Sequence, residues 1–330
     1  MTPRLGLLGA GGIGRHRTKA LASSGAAQVA CVADTNDEAA RAAAAEFPGA
    51  QVVSWERMLG DQRLDGIVIA TPSAQHAEQA AQALSRGLSV FCQKPLGRTA
   101  AEARGVVEAA RRADRLLGVD FSYRHVRGVS QMRQLVRSGE LGDLVNVELV
   151  FHNAYGPDKD WSYDATQSGG GCVMDLGSHL LDLAVWLVPG ARVDRLHAQL
   201  HAHGRPLASR KEVEDIAEVH LRLSSDLGQP SARLACSWRL HAGTNAVIEA
   251  TVYGTRGGVS LRNVDGSFHD FTVERYRGTG REVLATPPDE WGGRAAVAWA
   301  LQVAARPRFD EEEGRALVEV AEWMDRVYAR

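Results

Sequence analysis

One short stretch constrains this chain more than any other: Gly9-Ala10-Gly11-Gly12-Ile13-Gly14, set between the apolar run Leu5–Leu8 and an Ala-rich amphipathic stretch, Ile13–Ser23. Glycines at spacing G-x-G-x-x-G suit a strand that turns sharply into a helix. The first permits the turn, the second lets a ligand approach the backbone, and the third lets helix and strand pack closely. Alone the pattern is weak, because 34 glycines make chance matches common. Its strength comes from the strand before it and the helix after it.

The alternation continues downstream. Strand candidates are Leu5–Leu8, Gln28–Ala33, Gly66–Ala70, Ser89–Cys92 and Leu116–Phe121, separated by helix candidates near Ile13–Ser23, Asp37–Phe47, Gln75–Ser85 and Ala100–Ala113. Strand–helix repetition predicts an α/β, doubly wound parallel sheet of the Rossmann type. In such a sheet the helix N-terminus after the glycine loop offers N–H groups to the phosphates of a dinucleotide, which makes Gly9, Gly11, Gly12, Ile13 and Gly14 cofactor-binding candidates. Asp34 lies 20 residues after Gly14, at the end of the second strand. A carboxylate there can accept from both ribose hydroxyls and repels a 2′-phosphate, and Thr35 and Asn36 add no cation, which favours NAD over NADP. The alternative for Asp34 is a turn or capping residue. Thr71 and Pro72 follow the strand Gly66–Ala70 at the edge where ligands lie. His76 either joins them in lining the cofactor or is an exposed residue at a helix start.

After about Tyr123 the rhythm changes. A helix candidate, Val129–Arg137, precedes a long β run, Leu144–Asn153, and alternating segments such as Ile216–Leu223, Ala232–Leu240 and Ala246–Tyr253 follow. The pattern predicts a large, mainly antiparallel sheet with one exposed face, and the helices Arg294–Ala305 and Glu311–Tyr328 close the chain. The expected division is a Rossmann domain over 1–122 and an α+β domain over 123–330. A sheet with helices on one face leaves another face to cover, so a homodimer or homotetramer through this sheet is expected.

Two clusters carry candidate chemistry. Gln93-Lys94-Pro95 sits just past the strand Ser89–Cys92. Only Lys19, Lys94, Lys159 and Lys211 are lysines among 38 basic residues, so a compact ammonium at this edge is either chosen for a reacting oxygen or an ordinary surface lysine. The second cluster runs Gly169-Gly170-Gly171-Cys172-Val173-Met174-Asp175-Leu176-Gly177-Ser178-His179-Leu180-Leu181-Asp182. Asp175, His179 and Asp182 fall at i, i+4 and i+7, one face of a helix. A histidine beside a carboxylate is a general acid–base arrangement; the alternative is a capping aspartate with a histidine satisfied in the core.

Together the glycine loop, Thr71-Pro72, Lys94-Pro95, Tyr123-Arg124, Ser138-Gly139-Glu140-Leu141-Gly142 and Gly169–Asp182 resemble the Gfo/Idh/MocA family of glucose–fructose oxidoreductase and inositol dehydrogenase, over most of the chain. The resemblance implies transfer of hydride between NAD(P) and a sugar, cyclitol or related polyol carbon. It implies that Lys94, Asp175 and His179 are the catalytic residues and that Gln93 and Lys94 adjoin the cofactor. Tyr123, Arg124, His152, Tyr155, Trp161 and Tyr163, with Lys94, Asp175 and His179, are substrate-contact candidates; domain packing is the alternative for each of the six outside the catalytic trio. The family usually has Glu-Lys-Pro where this chain has Gln93-Lys94-Pro95, which alters the charge around Lys94. Rival readings are an NAD-dependent glycoside hydrolase of the same fold and a non-catalytic NAD-binding sensor.

Composition sets the outer bounds. With 45% hydrophobic and 24% charged residues and a net charge of −2, the chain has no field to attract nucleic acid or a membrane. Four cysteines without a CxxC pair argue against zinc and for a reducing cytoplasm. His197, His201 and His203 share strand parity, but no carboxylate or cysteine stands at ligand spacing; they read as a solvated strand face, and no metal is expected. Leu5–Gly14 is too glycine-rich for a signal helix, and no apolar run reaches the ~18 residues of a membrane span.

Overall fold

A computed structural model describes residues 2–209 and 211–330. It divides into two compact units. One runs to Ser122 and takes back Gly292–Val318; the other comprises Tyr123–Trp291 and Glu319–Arg330.

The first unit contains β1 (Arg4–Leu8), α1 (Gly12–Ser23), β2 (Gln28–Ala33), α2 (Asp37–Ala44), β3 (Gln51–Val52), α3 (Trp55–Gly60), β4 (Gly66–Ile69), α4 (Ser73–Ser85), β5 (Ser89–Cys92), α5 (Ala100–Ala113) and β6 (Leu117–Val119). The sheet order is β3-β2-β1-β4-β5-β6, all parallel. This is the doubly wound dinucleotide-binding order, whose ligand edge is the carboxyl end of the strands. Continuous burial along β1, β4 and β5 follows from helices on both faces. β3 and α3 escape a reading by periodicity because they are short and both β3 residues are exposed, leaving no apolar period to detect.

The expected domain limits need correction at the C-terminus. Of the two closing helices, α9 (Arg294–Ala305) belongs to the first unit. Its Ala296, Trp299, Ala300 and Val303 join the core formed by Leu5, Leu7, Val68 and Phe91. Trp299 lies 5.6 Å from the Phe91 ring. Gly66 and Gly118 make room for it: a Cβ would stand 2.9 Å from the indole at Gly66 and 2.8 Å at Gly118. A helical period shows that α9 has an apolar face but not which sheet receives it.

The second unit contains α6 (Val129–Arg137), β7 (Leu144–Asn153), α7 (Ala165–Ser168), α8 (Ser178–Leu187) and β8 (Arg192–Ala202), β9 (Arg205–Pro206), β10 (Ile216–Ser224), β11 (Ser231–Ser237), β12 (Ala246–Gly254), β13 (Gly258–Asn263), β14 (Phe271–Arg277) and β15 (Gly280–Ala285). The last helix, α10 (Glu311–Val327), spans the change from one unit to the other. Among the described residues, nine strands form one sheet in the order β15-β14-β13-β12-β7-β11-β10-β8-β9, antiparallel except for β7 with β11. Alternation gives it two characters. Leu149, Phe151, Val219, Leu234 and Ile248 are buried, whereas the opposite face carries cross-strand pairs: Arg233 to Glu218 at 2.5 Å, Arg262 to Glu249 at 2.9 Å and Ser260 to Tyr276 at 2.6 Å. Among the described residues, no helix is long and apolar enough to cross a membrane.

Candidate active site

In the first unit, the glycines divide their tasks as the spacing predicts. Gly9 has φ +93°, and a Cβ there would fall 2.6 Å from the Ala70 carbonyl; at Gly14 a Cβ would fall 2.3 Å from the Gly9 oxygen. A Cβ on Gly11 or Gly12 would meet nothing within 4 Å, and no side chain caps the helix they open. An uncapped N-terminus beneath open space suits a pyrophosphate, so the residues present fit a dinucleotide. Asp34 ties this loop to β2: Oδ2 accepts from Ala10 N at 2.6 Å and Oδ1 from Asn36 N at 2.8 Å. It is therefore a turn residue as well, but each oxygen keeps a lone pair for a ribose hydroxyl.

His76 is placed differently from either reading of the sequence. It is buried, with Nδ1 2.7 Å from the Pro95 oxygen and Nε2 2.7 Å from the Thr71 oxygen. Burial pushes its pKa below the ordinary value, against the pull of the two carbonyls. With both ring nitrogens occupied, His76 is a strut joining the Thr71-Pro72 loop to the Lys94-Pro95 loop. The Thr71 hydroxyl is bonded to Gln79 at 2.6 Å. Gln93 and Lys94 are half-buried at the end of β5, and Gln93 Nε2 donates to Asp120 Oδ2 at 2.5 Å.

In the second unit, every residue from Ser168 to Ala184 is buried except Asp175 and His179. The two stand on either side of the junction where a π turn, Val173–Gly177, runs directly into α8; single π turns recur at functional sites. Trp238 Nε1 donates to Asp175 Oδ2 at 3.0 Å. The His179 ring lies between aromatic neighbours, 4.9 Å from Tyr123 at an interplanar angle of 74° and 6.4 Å from Phe151. The pair is thus a fixed carboxylate and a fixed imidazole on a buried framework.

The triple glycine that precedes them serves packing. A Cβ on Gly171 would stand 1.8 Å from the Glu214 carbonyl oxygen, and one on Gly170 2.1 Å from the Tyr328 hydroxyl. The Glu214 carboxylate, fully buried, accepts from Gly171 N at 2.9 Å, Val173 N at 3.0 Å and Tyr328 Oη at 2.7 Å. Burial raises its pKa despite these donors. The residue leading into β10 and the tail of the last helix therefore pin the segment that leads into Asp175.

Three candidates part from the pair. Asp182, expected on the same face, is buried and receives Arg124 Nε at 3.1 and 2.9 Å on its two oxygens. Arg124 is correspondingly a support for α8 rather than a group held out to a ligand. His152 alternates with Phe151 along β7 and so points to the opposite face of the sheet from His179, where Nδ1 meets Ser237 Oγ at 2.8 Å. Burial lowers its pKa. Tyr155 is exposed, its ring tilted at 56° and 6.1 Å from that of Phe268, and Trp161 is half-buried. Tyr163 packs 5.6 Å from Trp238 and so borders the Asp175 carboxylate's partner. Trp238, Glu214 and Tyr328 were not among the sequence candidates; each stands just outside the end of a strand or helix, and only the long-range pairing reveals it.

A parallel sheet with an open glycine loop, joined in one chain to a unit bearing an Asp–His pair on a buried frame, defines an oxidoreductase of the dinucleotide-binding class. Comparison with known proteins narrows this. The profile described as oxidoreductase family, NAD-binding Rossmann fold, matches residues 4–121, and that of the GFO/IDH/MocA C-terminal domain matches 129–260. The chain belongs to the Gfo/Idh/MocA oxidoreductase family. It is similar to an inositol 2-dehydrogenase of Rhizobium meliloti (strain 1021), 26% identical over 290 residues and 84% of each chain. It is also 35% identical to the rhizopine catabolism protein MocA of Rhizobium meliloti over 187 residues, so that this match spans 56% of that protein's length. Among solved structures, GenD2 from gentamicin A biosynthesis in complex with NAD superposes with a TM-score of 0.80 at 25% identity, covering 99% of this chain and 93% of that one.

Proposed function

We propose that this oxidoreductase transfers hydride between NAD and a secondary hydroxyl or keto carbon of a sugar, cyclitol or related polyol. The observation that carries the reading is the partial exposure of Asp175 and His179 alone within the buried run from Ser168 to Ala184. Packing within the unit accounts for every other side chain there, and a titratable pair kept open on a rigid frame is the arrangement proton transfer needs. Gly9, Gly11, Gly12, Ile13, Gly14 and Asp34 would hold the dinucleotide, and the nicotinamide supplies the hydride acceptor or donor.

His179 takes the hydroxyl proton in the oxidative direction and returns it in the reductive one. Lys94, matched by the family resemblance to a catalytic lysine, is the candidate cation for charge developing on a reacting oxygen. Asp175, oriented by Trp238, is the carboxylate offered beside His179 in the chain. Tyr123 fixes the His179 ring edge-on, and Tyr155, Trp161 and Tyr163 are the remaining side chains offered to a polyol. Asp34 favours NAD over NADP. The polar outer face of the nine-stranded sheet is the surface on which copies of the chain associate as a dimer or tetramer. Light scattering giving a mass near 35.6 kDa at micromolar concentration would refute that association.

The test is a panel of sugars, inositols and sugar acids, followed by absorbance of the reduced nicotinamide in both directions. The expected result is turnover of at least one polyol, lost by 10²–10⁴ in kcat, roughly the worth of a positioned acid–base group, in His179→Ala. A folded His179→Ala protein with near wild-type turnover removes His179 from the mechanism. Sugar cleavage without net change in the reduced cofactor would favour the hydrolase reading.

A further inference from the structure

The family resemblance leads one to expect glutamate where Gln93 stands, and the first unit places another carboxylate beside it. Asp120 follows β6 as Gln93 follows β5, and its backbone N–H bonds Cys92 O at 2.9 Å, so the two residues are neighbours on the carboxyl edge of the sheet. The Asp120 side chain is 1% exposed. Its Oδ2 accepts from Gln93 Nε2 at 2.5 Å and from Arg17 Nε at 2.6 Å. Arg17, itself 9% exposed, sits on α1 one turn past the glycine loop and also reaches Ser122 Oγ at 3.4 Å. The other carboxylate oxygen, Oδ1, is buried and accepts no hydrogen bond among the described residues. A buried carboxylate is costly unless paired, and this one is paired with the helix under the glycine loop on one side and the lysine-bearing loop on the other.

We infer that Asp120 is the carboxylate of this site: a positioning residue that clamps the Gln93-Lys94 loop to α1, with position 93 an amide because the charge resides at 120. The consequence runs against intuition from the motif. Gln93→Glu, which writes the Glu-Lys-Pro of the resemblance into this chain, sets a half-buried carboxylate against the buried one of Asp120 with one Arg17 to answer both. It should impair the protein rather than improve it. Asp120→Asn alone leaves Arg17 without its counter-charge. The double change Gln93→Glu with Asp120→Asn keeps one carboxylate, one amide and the arginine, in exchanged positions. Coupling between two contacting residues of this kind shows as a departure from additivity.

The experiment is a cycle of the four proteins, reading melting temperature, dissociation constant for NAD by titration calorimetry, and turnover of a substrate found on the polyol panel. Each single variant is expected to weaken NAD binding about tenfold or more, and the double variant to recover at least half of the combined loss on a logarithmic scale. Gln93→Met, which removes the amide without adding charge, should fall between wild type and Gln93→Glu; it keeps the test readable should Asp120→Asn fail to fold. A purely structural pair would lower the melting temperature and leave the affinity for NAD alone. That outcome overturns the inference, as does a Gln93→Glu protein binding NAD as well as wild type, or single effects that simply add. The inference rests on the proposed function only in taking NAD as the ligand. If wild type binds NAD but turns over nothing on the panel, the polyol reading fails while the affinity cycle still decides the role of Asp120. If wild type binds no NAD, both fall.

Discussion

Replacing Gly11 with alanine separates what the glycine loop does for the fold from what it does for a ligand. Gly11 caps α1 with φ −68° and ψ 173°, a conformation any residue adopts, and a Cβ there meets nothing within 4 Å. The fold should barely notice: alanine is a poorer helix cap than glycine, and a cost of about 0.5 kcal/mol is the scale. A pyrophosphate lying over the helix N-terminus would notice, because the methyl occupies the space between backbone and phosphate. Losing one charge-assisted hydrogen bond costs roughly 1.5–3 kcal/mol, which is about 10- to 100-fold in the dissociation constant. Gly14→Ala is the contrast. There a Cβ would lie 2.3 Å from the Gly9 oxygen and 2.9 Å from the Ala70 Cβ, so the fold itself suffers, by about 1–3 kcal/mol as overpacked sites do. Calorimetric titration with NAD, beside thermal unfolding of the same samples, reads both effects. A stable Gly11→Ala protein that binds NAD within about twofold of wild type would refute the placing of the phosphates at this helix, since twofold is well below one hydrogen bond.

Three further outcomes are expected. Asp34→Ser combined with Thr35→Arg should move the preference from NAD toward NADP, read as the ratio of the two dissociation constants; comparable constants for the wild type would contradict the role given to Asp34. Trp238→Phe removes the 3.0 Å donor to Asp175 while keeping an aromatic ring; kcat should fall about 3- to 30-fold, the worth of one such bond, with the pH–rate profile displaced, and an unchanged profile would detach Trp238 from the pair. Glu214 has a pKa raised in the folded protein, by burial above all. The folded state therefore binds its proton more tightly than the unfolded state. The stability it contributes is present below the ordinary carboxylate value of 4.5 and is lost as pH rises from there through the raised folded value. Glu214→Gln should flatten that part of the stability curve, and thermal unfolding across the range would show it; an unaltered slope would assign the pH dependence elsewhere.

What the sequence makes legible here are local devices, and what it hides are pairings. The glycine loop, Asp34, Lys94 and the Asp175–His179 spacing are visible because each is a short pattern whose chemistry is carried by its own neighbours. Periodicity alone bounds the helices α6 and α9 and the strand β7, since an apolar face leaves its period in the chain. The partner of that face leaves none: chain order assigns Trp299 to the second unit, whereas Gly66 and Gly118 make room for it in the first. The same blindness misplaces His152. Its parity on β7 is readable, but whether Phe151 or His152 faces α8 depends on which side of the sheet the helix lies. Arg124 and Asp182 are separated by 58 positions and Glu214 and Tyr328 by 114, distances at which no spacing argument operates. Gln93 is the informative middle case. The departure from the usual glutamate is plain in the sequence, yet its sign is not, because the answering carboxylate stands 27 positions away. A substitution at a motif position is thus weighed by the charge left in the buried site after folding. By that measure Gln93, Asp120 and Arg17 form one unit of charge balance, and gaining or losing a charge at any one of them alone changes it.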